Sequence, residues 1–206
     1  MSSESIDYSV LVKIKKAKRG SLFFIEDFLR FGSAKSVAKA LERLVEKEEV
    51  QRVARGIYAK LKVHPEIGPL SPTIQDIAKA IAKRDKAKII AAGPLALNLL
   101  GLSTQVPLNA VYLTDGSARK IKIRNSSIKF KKVAPRNLAA IGELSGLVIQ
   151  ALKHLGKENL DKEREERVIY FLKKEKPHRL QHDMVLAPEW IRVIMRKAMK
   201  DGKVVK

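Results

Sequence analysis

Lys35, Lys39 and Arg43 recur at every fourth residue, with Ser36 beside the first of them. On a helix that spacing lines them up along one face. Lysine and arginine donate hydrogen bonds to phosphate oxygens and to the guanine edge, and a serine hydroxyl near a helix start reaches phosphate. Arg52 and Arg55 follow closely, the second in an Arg55-Gly56 pair suited to a hairpin turn. Guanidinium groups so placed reach phosphates or a minor groove. This is the chemistry of holding a nucleic acid, not of breaking a bond.

Bond-making constellations are weak by comparison. The chain has no cysteine, so thiol catalysis, disulfides and thiolate metal sites are excluded. A metal-dependent nuclease needs acids converging with a lysine. Asp115 precedes strand-like runs that carry lysines but no further acid, and Glu163, Glu165 and Glu166 sit in a mixed-charge helical stretch. His178 and His182 are four apart with Asp183 following, yet no third ligand pattern accompanies them. GPLALNLLGL (residues 93–102) lacks the Gly-Lys-Ser/Thr ending of a phosphate loop. Gly93 and Gly101 are expected to bracket a short helix instead. No enzyme, cofactor or bound metal is expected.

The elements that must position the basic residues can be read around them. A helix is expected over 5–17, capped by Ser5, with Ile6, Val10, Ile14 and Ala17 on one face. A short helix follows from Ile25 to Phe31, with Glu26 and Asp27 in its first turn. Gly32 suits a left-handed turn and Ser33 a cap. The third helix, about 33–47, buries Val37, Leu41, Leu44 and Val45, which leaves Lys35, Ser36, Lys39, Glu42 and Arg43 off the buried stripe. Strands over 50–53 and 57–60 then make a hairpin, with Tyr58 packing it on the third helix. The order is that of a winged helix-turn-helix, which sets one helix in the major groove and a hairpin beside it.

HPEIGPLSP holds three prolines and one glycine and reads as a linker. Beyond it, Pro72 suits the first position of a helix to about Arg84. Strand-like runs are expected at 88–91, 108–114, 119–124 and 128–133, with a helix over 94–100. The 119–124 and 128–133 runs alternate Lys or Arg with apolar residues, so one face packs and the other is basic. Lys120, Lys122, Arg124, Lys129, Lys131 and Lys132 form a second candidate nucleic-acid surface. Helices are expected over 138–155, 161–175 and 188–200. The expected organisation is α+β: a winged-helix domain over 1–62, a linker over 63–72, and an α+β domain over 73–206 with a small mixed sheet and a helical end.

Net charge points the same way. The chain carries 42 Lys plus Arg against 22 Asp plus Glu, a formal +20. Residues 63–137 are the most positive part, with 13 basic and 4 acidic side chains. A polyanion is the natural partner of such a surface, and binding should weaken steeply with salt. Charge alone does not separate DNA from RNA. No apolar run reaches the length of a spanning helix, and the N-terminus lacks a signal-peptide core, so a cytoplasmic protein without a membrane partner is expected.

Two blocks of residues resemble the AbiEi family of antitoxins. The first is FGSAKSVAKALERLVEKEEVQRVARGIYAKL, residues 31–61; the second, more specific, is AAGPLALNLLGLSTQVPLNAVYLTDGSARKIKIRNSSIKFKKVAPRNL, residues 91–138. The resemblance implies an N-terminal winged helix that binds the promoter of its own operon and a C-terminal domain needed for antitoxicity. It further implies a nucleotidyltransferase-like toxin, neutralised without a stable complex, in a toxin–antitoxin or phage-defence locus. The expected function is a double-stranded-DNA-binding repressor. The alternatives are an RNA-binding module and, further off, a metal-dependent nuclease.

Overall fold

The structure is a computed structural model, and it describes residues 5–201. It is a mixed α+β protein. The chain divides into two compact units: residues up to Ile81 together with Lys122–Arg124, and the remainder.

The first unit opens with α1 (Ile6–Lys16), capped by the Ser5 hydroxyl, which accepts from the Tyr8 amide at 3.2 Å. β1 (Leu22–Phe24), a strand not expected from sequence, leads into a 3₁₀ turn over Ile25–Phe31. There Asp27 accepts from the Phe24 amide at 2.8 Å, so the first-turn acid closes the turn it begins. Gly32 is not left-handed. Its φ is 167°, ordinary extended backbone, and the close approach of the Ile6 side chain is what a larger residue would meet there. α2 (Ala34–Glu46) then starts under the Ser33 cap, whose hydroxyl accepts from the Ser36 amide.

β2 (Gln51–Ala54) and β3 (Ile57–Ala59) form the expected hairpin, turning at Arg55-Gly56 with Gly56 at φ 72°. β1 pairs antiparallel with β3, giving a three-stranded sheet in the order β1-β3-β2. Val10, Ile14, Phe23, Phe28, Val37, Leu41, Leu44 and Tyr58 meet in one core. Two long-range ties close this unit. The Lys60 ammonium donates to the carbonyls of Lys15 (2.7 Å) and Ala17 (2.9 Å), satisfying the last turn of α1, where the helix dipole favours a cation.

The stretch read as a linker carries a two-stranded ribbon, β4 (Lys62–His64) paired antiparallel with β5 (Gly68–Leu70). α3 runs from Ile74 to Arg84 and does not begin at Pro72. Thr73 and Asp76 form the reciprocal hydrogen bonds of a capping box, so the threonine, not the proline, marks the start. The division between the two units falls inside this helix, at Ile81, and not at the proline-rich stretch.

In the second unit, β6 (Ile89–Ala92) precedes α4 (Pro94–Leu99), which Gly93 and Gly101 bracket, both at φ 62°. β7 (Asn109–Thr114), β8 (Arg119–Ile123) and β9 (Ser126–Lys132) complete a sheet ordered β6-β7-β9-β8, with Lys122 and Ile123 of β8 grouped in the first unit. β6 is antiparallel to β7, and β7 is parallel to β9. The chain therefore passes outside β9's position, forms β8 at the edge, and returns to pair beside β7. Tyr112 and Phe130 stack on one side of the sheet, ring centroids 6.1 Å apart.

The helical end differs from its reading at two points, one of them a helix over Pro177–Met184 that was not among those expected. The helix expected over 138–155 is split: Pro135–Leu138 is a 3₁₀ turn, and α5 runs only from Glu143 to Leu155. Two carboxylates remote in sequence terminate it. Glu175 accepts from the Leu144 amide at 2.9 Å, and Asp183 accepts from the amides of Ile141 and Gly142 at 2.9 and 2.8 Å. α6 (Lys162–Lys173), α7 (Pro177–Met184) and α8 (Glu189–Asp201) pack with α4 and α5 around Leu100, Leu152, Leu172, Ile191 and Met195. Among the described residues, no helix is long and apolar enough to cross a membrane.

Candidate nucleic-acid interface

α2 presents two opposite faces. Val37, Ala40, Leu41 and Leu44 are buried against α1 and the sheet, while Lys35 and Lys39 are exposed. Both lysines lie in the first half of the helix, the part that a recognition helix turns toward base edges. Among the described residues, neither is held by an acid. Arg55 is likewise exposed, in the tight turn of the β2–β3 hairpin.

Of the other three candidates, Arg43 and Ser36 are engaged within the protein and, among the described residues, Arg52 is not. Arg43 makes a two-pronged ion pair with Asp7 of α1, Nε and one terminal nitrogen each 2.6 Å from a carboxylate oxygen. The hydrogen bond from Arg43 holds the Asp7 carboxyl below its usual range. The guanidinium thus ties the last turn of α2 to the first turn of α1. Ser36 sits in the helix cap, its hydroxyl 2.9 Å from that of Ser33. Arg52 is exposed but stands opposite Tyr58 across the hairpin. Burial pushes the Tyr58 phenol up, and the Arg52 charge partly offsets that. Tyr58 is buried in the core with Val37, Leu41 and Leu44 of α2.

The second candidate set divides by strand parity. Arg119 stacks its guanidinium over the Phe130 ring, 5.4 Å from the centroid, and pairs with Asp85. Burial, with the neighbouring Arg84 charge, pushes the Arg119 pKa down. Alternation then sends Lys120 and Lys122 to the face opposite Arg119, and Lys129 and Lys131 to the face opposite Phe130. All four are exposed. Lys132 falls on the other parity at the strand end, and Arg124 occupies the β8–β9 turn at φ 48°.

Asp7, Lys60, Arg119, Glu175 and Asp183 all have positions that the sequence reading did not assign. Their partners lie far along the chain, so no local spacing signals them. Asp183 also has a local partner in the adjacent His182, whose Nδ1 lies 2.8 Å from its Oδ1. Among the described residues, no group of three or more His, Cys, Asp or Glu side chains is placed to hold a metal ion.

The geometry defines an α+β protein whose first unit exposes a basic helix face beside a basic hairpin. By sequence the chain belongs to a family of unknown function, DUF6088, whose model matches residues 9–180. No curated protein matches it.

Proposed function

We propose that the first unit is a winged helix-turn-helix and that the protein is a double-stranded-DNA-binding transcriptional regulator. One observation carries the reading: Lys35, Lys39 and Arg55 are exposed and, among the described residues, unpaired, on a helix and hairpin whose opposite faces are buried. The order helix, strand, 3₁₀ turn, helix, hairpin, with β1 pairing β3, supports it. In this reading α2 enters the major groove through Lys35 and Lys39. Ser36 stands at the helix start near phosphate, and Arg55 meets the flanking backbone with Arg52 behind it. Arg43 serves instead to brace α2 on α1. Repression is steric, by exclusion of polymerase.

The resemblance of residues 31–61 and 91–138 to AbiEi antitoxins extends the proposal to a toxin–antitoxin or phage-defence locus. There the protein represses its own promoter and opposes a nucleotidyltransferase-like toxin without requiring a stable complex.

Selection of duplexes from a random pool, followed by binding titration, tests the DNA reading. The expected result is an enriched motif that loses its advantage in Lys35→Ala/Lys39→Ala. Loss of base contacts should cost about 1–3 kcal/mol each against the preferred sequence. Equal binding of duplex DNA and structured RNA, with no enriched motif, would replace this function with a general RNA-binding one. For the antitoxin part, co-expression with the product of the neighbouring gene should rescue growth.

A further inference from the structure

We propose that the open face of the β8–β9 hairpin is a second contact for duplex DNA, made to the phosphate backbone by Lys120, Lys129 and Lys131. This rests on the DNA-binding reading but on different residues. Alternate strand residues stand roughly 6.7 Å apart and neighbouring strands about 4.8 Å, so three ammonium groups share one small field. That spacing is within a Debye length of roughly 8 Å at physiological salt, and the like charges repel unless an anion joins them. Among the described residues, no acid pairs with any of the three, whereas Arg119 on the opposite face has Asp85. The basic excess is thus concentrated on the outward face.

The remaining residues of that face decide the kind of anion. Register places the half-buried Val111 and Leu113 beside Lys129 and Lys131. Asn109, on the same parity, accepts from the Ser127 hydroxyl at 2.6 Å through its Oδ1. Among the described residues, this face offers no aromatic platform for unstacked bases, since Tyr112 and Phe130 lie on the other side of the sheet. Single-stranded nucleic acids and RNA loops are held through such stacking, so a flat lysine face fits the regular backbone of a duplex. α5 packs against β6, while Lys120, Lys129 and Lys131 are exposed. Contact here adds affinity without sequence preference.

The test is fluorescence anisotropy on the full chain with a random-sequence duplex and with the selected motif, between about 50 and 200 mM salt. In Lys120→Gln/Lys129→Gln/Lys131→Gln, the slope of log K against log salt should become shallower by about 0.9 per lost phosphate contact. The preference for the motif over random duplex should stay as in the wild type. Each single Gln variant should take about one third of that change, which keeps the test valid if the triple variant folds poorly. An unchanged slope in folded variants overturns the proposal. So does a slope change seen only with single-stranded RNA. If the wild type shows no motif preference but the slope still falls in the Gln variants, the promoter reading fails while this surface stands.

Discussion

At the scale of single residues, charge is sorted by partner rather than by position on a helical wheel. Lys39 and Arg43 are one turn apart on α2, yet among the described residues the first is unpaired while the second grips Asp7. The pair is partly open to water, with the Arg43 side chain 50% and Asp7 31% exposed, so screening keeps its contribution small. Arg43→Ala should lower the thermal midpoint slightly and change motif preference by less than about twofold, unlike Lys35→Ala/Lys39→Ala. Thermal melts and parallel titrations check this. Asp183 is the opposite case, fully buried. Burial alone would raise its pKa, but hydrogen bonds from Ser145, His182 and the amides of Ile141 and Gly142 outweigh that and lower it. A carboxyl depressed in the fold stabilises fully above its ordinary value of 3.8, and that contribution fades as pH falls through the lowered value. Asp183→Asn should cost about 3 kcal/mol in urea denaturation at neutral pH, because an amide turns donors toward donors. The loss should shrink in acid.

At the scale of elements, helix boundaries are set by caps, and some caps come from far along the chain. Ser5, Ser33 and Asp161 cap their own helices, and those starts were visible in the sequence or one residue from it. α5 starts where Glu175 and Asp183 meet its free amides. Nothing within residues 138–143 announces that, which is why a longer helix was expected there. Gly142 is the residue the arrangement requires: an added Cβ would lie 2.6 Å from Glu175 Oε2 and closer still to the Ser145 hydroxyl. Gly142→Ala should therefore displace both groups and destabilise by about 1–3 kcal/mol, with faster hydrogen exchange at the Leu144 and Ser145 amides.

At the scale of the whole molecule, the net charge of +20 dominates association. Duplex binding should fall steeply as salt rises, and a protein with 6–10 phosphate contacts loses about 10³–10⁵ in affinity between 50 and 200 mM. Titration across that range measures the number of contacts directly. A plasmid incubated with the protein and magnesium should stay intact, and nicking would point to a nuclease instead.

The two units differ in how far local pattern carried. In the first, helix periodicity, the Ser33 cap and the Arg55-Gly56 turn made α1, α2 and the hairpin legible, because each depends on neighbours in sequence. β1 was not legible: three residues become a strand only because β3 lies beside them. In the second unit the basic and apolar alternation of 119–133 was plain, but which lysines share the open face depended on the β7–β9 register and on Arg119 folding over Phe130. Local sequence thus determined the charge, the periodic elements and the basic residues available to a polyanion. Tertiary structure decided which of those cations are free, because an ion pair such as Arg43–Asp7 joins residues whose nearness exists only after the chain has folded.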